Sequence, residues 1–253
     1  MKTAFYTWIT DSHKNTRIDF HSFYKSFKYF HPDIDLIVFE QSTIDKLFNE
    51  KPWLNSTNCK ASFAKLIYND YDLLVGVDSD FYFFDRCEEI LQANYDIGAA
   101  ANFNSTINVK LNKQTLKQYE IPEVSYAQYI QGGLIASTNK TFWDEYENMC
   151  HDISNDLPIY ENDVLNAIWY SNKYKTKVLD GSLDYTSSEF KCYYNCSSLG
   201  RIGNTYIEND RVYLDGRPMR SYHVAWGWNR RKERVHELFP KSVSDWFYSK
   251  INK

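Results

Sequence analysis

The chain has 253 residues, 43% hydrophobic and 17% aromatic, with 29 basic and 33 acidic residues and a formal net charge of −4. That length and apolar content suffice for one large α/β core, and the well-mixed charges exclude a global field that would recruit nucleic acid or an anionic membrane. Five cysteines without framework spacing, and a Met1-Lys2-Thr3 start that runs straight into a strand-like segment, predict reduced thiols, no signal peptide and no membrane span, hence a soluble cytoplasmic protein.

Taken in order, Thr3 to Ile9 reads as a first strand and residues 10–16 as a polar loop. Phe20, Phe23, Tyr24 and Phe27 then recur at helical spacing, and His31-Pro32 closes that helix because the residue before proline disfavours the α conformation. Asp35 to Phe39 is a second strand, so the opening is β-α-β, which predicts a parallel crossover and a nucleotide-binding type of half-domain. Ser42-x-x-Asp45 reads as a capping box for a short helix ending before Pro52-Trp53. A further helix spans Lys60 to Tyr68, with Phe63, Leu66 and Ile67 on its apolar side and Lys60 and Lys65 on the polar one.

The chain is organised around the next stretch. Leu73 to Val77 is a continuous β-favouring run, read as a strand buried on both faces, and Asp78-Ser79-Asp80 follows at once. At period two the carboxylates of Asp78 and Asp80 leave the backbone on one side, at the carboxyl edge of the sheet where open α/β sheets bind ligands. Asp-x-Asp by itself is common and is most often a solvated turn. Here apolar runs flank it, and burying two carboxylates costs several kcal/mol, roughly, unless a cation or hydrogen bonds compensate. A pair of acidic oxygen donors suits Mg²⁺ or Mn²⁺, whose remaining positions go to water and substrate phosphate.

Beyond it, Asp85-x-x-Glu88 reads as the cap of a helix reaching Asn94, and Asp96 to Ala101 as a strand whose small side chains would admit a ligand. Residues 102–123 are polar and irregular, a natural place for acceptor-specific loops. Tyr129 to Ser137 is a strand entered through Gly132-Gly133. Thr138 or Asn139 caps a helix with Phe142, Tyr146, Met149, Cys150 and Ile153 on one face. Glu161-Asn162-Asp163-Val164-Leu165-Asn166 opens another, with Val164, Leu165, Ile168 and Trp169 inside. Lys177 to Leu179 is a strand, residues 180–210 read as loops and short strands, and Asp215-Gly216 is a hairpin signal. Ser221 to Ala225 is a returning strand carrying His223, and the C-terminus is helical from Arg231, interrupted at Pro240, with Val243, Trp246 and Phe247 packing. Cys192-x-x-x-Cys196 has no second pair at zinc spacing and reads as local packing, and the sequons at Asn55, Asn104, Asn139 and Asn195 as chance.

In this order the chain resembles nucleotide-sugar glycosyltransferases of the GT-A fold, most closely the family 8 type that includes glycogenin and bacterial galactosyltransferases. The resemblance rests on Ala4 to Ile9, Ser62 to Leu66, Asp78-Ser79-Asp80, Gln131 to Ile135, Glu161 to Asn166, and His223 followed by Gly227-Trp228-Asn229-Arg230. It implies a single α/β domain, a mixed sheet flanked by helices, with residues 1–101 as the nucleotide-binding half, 102–230 as the sugar and acceptor half and 231–253 as a C-terminal helical extension. It also implies a metal-dependent transfer of a sugar from a nucleotide-diphosphate donor, expected to be a UDP-sugar, to a glycan, a lipid-linked sugar or a protein side chain; a nucleic-acid acceptor is disfavoured by the acidity.

Carried over residue by residue, Asp78, Asp80 and His223 would hold Mn²⁺ or Mg²⁺, and Ser79, Gly132, Gly133, Lys65 and Arg230 would contact the donor. Lys65 stands where the family usually has arginine. Arg230 stands where it has lysine, and one extra residue separates His223 from the glycine. Ala4, Tyr6 and Thr7 would line the base pocket, with Tyr6 as a stacking partner, although the acid the family places near there is missing. Glu161 would bind sugar hydroxyls and Asn162 would lie near the anomeric carbon, which implies net retention. The alternatives are inversion with Asp163 or Glu161 as base, or a module that binds without turnover. A nucleotidyltransferase would need a glycine-rich loop after the first strand, and residues 10–16 contain no glycine.

Overall fold

The structure, a computed structural model, describes residues 1–12, 19–101, 130–153, 160–179, 185–186, 204–214, 216–223 and 235–253. In chain order the first half contains β1 (Thr3–Trp8), α1 (Phe20–Phe30), β2 (Asp35–Phe39), α2 (Gln41–Glu50), α3 (Lys60–Ile67), β3 (Leu73–Val77), β4 (Phe81–Phe83), α4 (Glu88–Leu91) and β5 (Ile97–Ala101). The second half contains β6 (Ile130–Ser137), α5 (Lys140–Ile153), α6 (Tyr160–Tyr170), β7 (Thr176–Leu179), β8 (Tyr185–Thr186), β9 (Thr205–Glu208), β10 (Arg211–Leu214), β11 (Arg217–Pro218), β12 (Ser221–His223), α7 (Val235–Leu238) and α8 (Lys241–Ile251).

Six strands form one mixed sheet in the order β2-β1-β3-β6-β5-β7. β1 is parallel to β2 and β3, β5 is parallel to β7, and β6 runs antiparallel to both its neighbours. This is the expected α/β class. Side chains alternate between two cores, as the two-residue period of a strand requires. Ala4, Tyr6, Leu74 and Ile135 pack with α2, α3, α5 and α6 on one face. Phe5, Leu73, Val75, Val77, Leu134 and Ala136 pack with Phe23 and Phe27 of α1, with β4 and with Ile90 of α4 on the other. A third core joins Tyr82 and Phe84 to β10, α7 and α8.

Several element ends have local causes. α1 starts where the Asp19 carboxylate accepts from the Ser22 N–H at 3.3 Å, and ends at His31, before Pro32. Asn139 rather than Thr138 caps α5, accepting from the Thr141 N–H at 2.9 Å. Gly216 takes φ +80° in the β10–β11 hairpin, where Leu214 pairs with Arg217.

Three local expectations are corrected. α2 begins at Gln41 with Glu40 before it, so Ser42 lies inside the first turn, and Asp45 instead accepts from the Gln41 amide at 2.7 Å. α4 is a single turn with Cys87 at its cap position and no side-chain cap; Asp85 lies two residues earlier and is engaged by Arg220. The space over Gly98 in β5 is filled by the Tyr95 ring rather than left for a ligand.

Candidate active site

The carboxyl end of β3, the amino end of the antiparallel β6 and the β4–β12 pair build the site. β3 ends at Val77, and the chain turns through Ser79 and Asp80 into β4, held by the Asp78 N–H donating to the Gly133 carbonyl at 2.9 Å. β12 pairs antiparallel with β4, setting His223 opposite Phe81. The two rings stack with centroids 4.4 Å apart, and His223 Nε2 comes to 3.1 Å from Asp80 Oδ1 and 3.5 Å from Asp78 Oδ2. Sheet pairing thus brings together residues far apart in sequence.

One donor atom from each of Asp78, Asp80 and His223 lies within 4.8 Å of the others. His223 is buried while both carboxylates remain partly open. Two hard carboxylate oxygens and one imidazole nitrogen form a donor set that suits Mn²⁺ or Mg²⁺, with coordination positions left over for other oxygens. Ser79, between the acids, is nearly buried.

The diglycine of β6 forms the floor. A Cβ on Gly133 would run into the His223 ring, and one on Gly132 into the Asn162 amide, so both positions are fixed by close approach. Asn162 Oδ1 accepts from the Gly132 N–H at 2.8 Å, and one turn along α6 Asn166 accepts from Ile130 N at 2.8 Å while donating to Ile130 O at 2.9 Å. These amides stitch α6 to the strand. Asp163 is buried beside them.

Glu161 sits at the N-terminal turn of α6 with its side chain 13% exposed. Burial pushes its carboxyl up to about 7, opposed by Lys60 and assisted by the negative charge of Asp78. Its Oε2 is buried and has no hydrogen-bond partner among the described residues, which makes it an acceptor waiting for a donor.

Lys60 is the residue that the sequence reading placed wrongly. Instead of lying on a polar face it is 1% exposed. Its ammonium is 2.9 Å from Asp78 Oδ1 and 3.7 Å from Glu161 Oε1, donates to the Gly132 carbonyl, and lies 5.5 Å from the centre of the Trp8 ring. The signal was present in the spacing: Lys60, Phe63, Ala64 and Ile67 share a helical face, and it is Leu66 that is exposed. Lys65 turns instead to α5, 2.9 Å from Asp144 Oδ1 and 2.8 Å from Glu147 Oε2. Burial opposes its charge, but the hydrogen bonds to both carboxylates raise its basicity.

The side chains of Ala4, Tyr6 and Thr7 are wholly buried. The Tyr6 ring packs edge-on against Phe39 and Trp143 and its hydroxyl donates to the Lys60 carbonyl at 3.0 Å, so it offers no face for a base to stack on. The expectation failed because a tyrosine in a central strand has both faces covered by its neighbours. Arg230 and the Gly227-Trp228-Asn229 run lie outside the described residues, as do 102–123 and Cys192 and Cys196; Cys59, Cys87 and Cys150 are buried.

A mixed sheet with an Asp-x-Asp turn at its carboxyl edge is the fold of the GT-A glycosyltransferases, and solved structures of that class superpose on nearly the whole chain. The chain is similar to the bifunctional glycosyltransferase WbbM, at 13% identity and TM-score 0.57, over 98% of this chain and 49% of that one, so it spans about half of WbbM. It is similar to the galactosyltransferase LgtC in complex with donor and acceptor sugar analogs, at 11% identity and TM-score 0.56, over 98% of this chain and 95% of that one. It is also similar to the glycosyltransferase GlyE of Streptococcus pneumoniae TIGR4, at 10% identity and TM-score 0.60, over 99% of this chain and 63% of that one. No protein-family model and no curated protein matches the chain. Among the described residues, no helix is long and apolar enough to cross a membrane.

Proposed function

We propose that the protein is a metal-dependent glycosyltransferase that moves a sugar from a nucleotide-diphosphate donor, a UDP-sugar, to a hydroxyl of a glycan, lipid-linked sugar or protein, with net retention. The observation that carries this reading is the convergence of Asp78, Asp80 and His223 at the carboxyl edge of a GT-A sheet. These three would hold Mn²⁺ or Mg²⁺, whose Lewis acidity stabilises the negative charge of a departing diphosphate. The protein's own groups do the rest. Glu161 Oε2, buried and unpartnered among the described residues, accepts a hydrogen bond from a donor-sugar hydroxyl and orients the ring. Asn162, fixed through Gly132, presents a dipole near the reacting carbon.

Retention is favoured because an inverting enzyme needs a carboxylate base beside the incoming hydroxyl. Asp163 is buried, and Glu161 Oε2 is taken up by the donor-sugar hydroxyl, which leaves neither placed as a free base. Arg230, by the resemblance, adds a bidentate phosphate contact. A panel of nucleotide sugars with Mn²⁺, followed by nucleoside diphosphate release and by NMR of the product, tests both parts. Release from one UDP-sugar with an α-linked product from an α-linked donor is expected; no release from any donor contradicts the enzyme reading, and a β-linked product contradicts retention.

A further inference from the structure

The buried lysine under the site has no role in the reading above. Lys60 is the first residue of α3 and projects its ammonium beneath the Asp-x-Asp turn, against one oxygen of Asp78 and toward one oxygen of Glu161. Its stem is enclosed and its own carbonyl is tied to the Tyr6 hydroxyl, so the charge cannot swing out to solvent. A lysine that merely anchored a helix to a sheet would be satisfied by backbone carbonyls, and Gly132 already supplies one. Here the ammonium contacts one of the three groups that would hold the metal.

We propose that Lys60 is a resident cation of the donor site, occupying the Asp78 carboxylate so that a divalent ion arriving alone must compete with it. This rests on the reading of Asp78, Asp80 and His223 as the metal centre. The charge arithmetic gives the consequence. Asp78, Asp80 and Glu161 make the site acidic, and Lys60 offsets part of that charge in a poorly hydrated setting where Coulomb terms are strong. Lys60 therefore weakens the binding of a lone cation, and leaves a metal-loaded site less negative toward the diphosphate that follows.

The test uses Mn²⁺ alone as probe, with free Mn²⁺ measured by electron paramagnetic resonance in the full chain without nucleotide. Lys60→Met keeps the stem and removes the charge, and is expected to bind Mn²⁺ about tenfold more tightly than the wild type. Lys60→Arg, which keeps the charge, is expected to bind as the wild type does. In an Asp78→Asn background the gain in Mn²⁺ affinity from Lys60→Met should shrink, whereas a change produced by repacking alone would persist in full. Equal or weaker Mn²⁺ binding by folded Lys60→Met overturns the inference while leaving the metal centre standing. If Lys60→Met does not fold, Lys60→Gln decides: tighter Mn²⁺ binding than the wild type supports the inference, and equal or weaker binding overturns it. Absence of Mn²⁺ binding by every form, with and without nucleoside diphosphate, overturns the metal centre and the inference with it.

Discussion

The two faces of the central sheet solve the problem of buried polar groups in opposite ways. On the face covered by α1, β4 and α4 the ionisable groups are kept neutral. Burial drives the His31 imidazole down to about 4, so it stays uncharged among Phe5, Phe27 and Phe83, its Nε2 accepting from the Cys87 N–H at 3.0 Å, while burial raises the Cys87 thiol and the Tyr95 hydroxyl. On the face covered by α3, α5 and α6 charge is retained by pairing: Lys60 with Asp78 and Glu161, and Glu147 with Lys51, Lys65 and Ser62. Burial opposes the Glu147 charge, but those hydrogen bonds outweigh it and hold its carboxyl below the usual range. One face is therefore a scaffold, and the other carries charge to the sheet edge where Asp78, Asp80 and His223 meet.

The comparison breaks most visibly through activity. Asp80→Ala should lower turnover by at least about a hundredfold with the fold intact, since a metal ligand is lost and no core is touched; steady-state kinetics with circular dichroism checks this. On the scaffold face the effects should reverse. Phe27→Ala, in a fully buried aromatic cluster, should cost about 3–5 kcal/mol of stability by denaturant unfolding, with turnover per folded molecule unchanged.

The pH dependence of stability sharpens the contrast, because the two faces have slopes of opposite sign. His31 titrates lower in the folded than in the unfolded state, so its contribution is intact above about 6.5 and is lost as pH falls from 6.5 toward 4. Glu161 titrates higher when folded, so stability is greatest below 4.5 and declines as pH rises through about 7. Each effect is about 3 kcal/mol, and unfolding curves in EDTA should show His31→Gln flattening the acid limb and Glu161→Gln flattening the neutral one. The smallest effect is expected at Lys65. It is partly exposed against Asp144 and Glu147, so Lys65→Met should cost about 1 kcal/mol and leave nucleoside diphosphate affinity nearly unchanged. A large loss of affinity would mean that Lys65 leaves its α5 partners for the donor.

Much of this was legible in the sequence because it depends on local pattern. The apolar run from Leu73 to Val77, the helical stripe of α1 and the Asp215-Gly216 hairpin each carry a period or a turn signal. The Asp-x-Asp pair was read from the apolar strand that precedes it and His223 by resemblance, and their meeting depends on β4–β12 pairing that no local window contains. Lys60 was missed because lysine is taken as polar by type, when its position in line with Phe63 and Ala64 marked it as buried. Tyr6 was misassigned for the reverse reason. Its ring chemistry suits stacking, but its place in a strand with a helix-covered face uses that ring as core.

The Asp78–Asp80–His223 cluster is proposed to make sugar transfer depend on a divalent cation. With the donor identified by the nucleotide-sugar panel, EDTA-treated protein is titrated with Mn²⁺ while nucleoside diphosphate release is followed in the wild type and in Asp80→Asn. The expected result is a saturable recovery of turnover in the wild type and a near-absent one in the variant. Turnover that persists in excess EDTA, or an Asp80→Asn protein as active as the wild type, would contradict it.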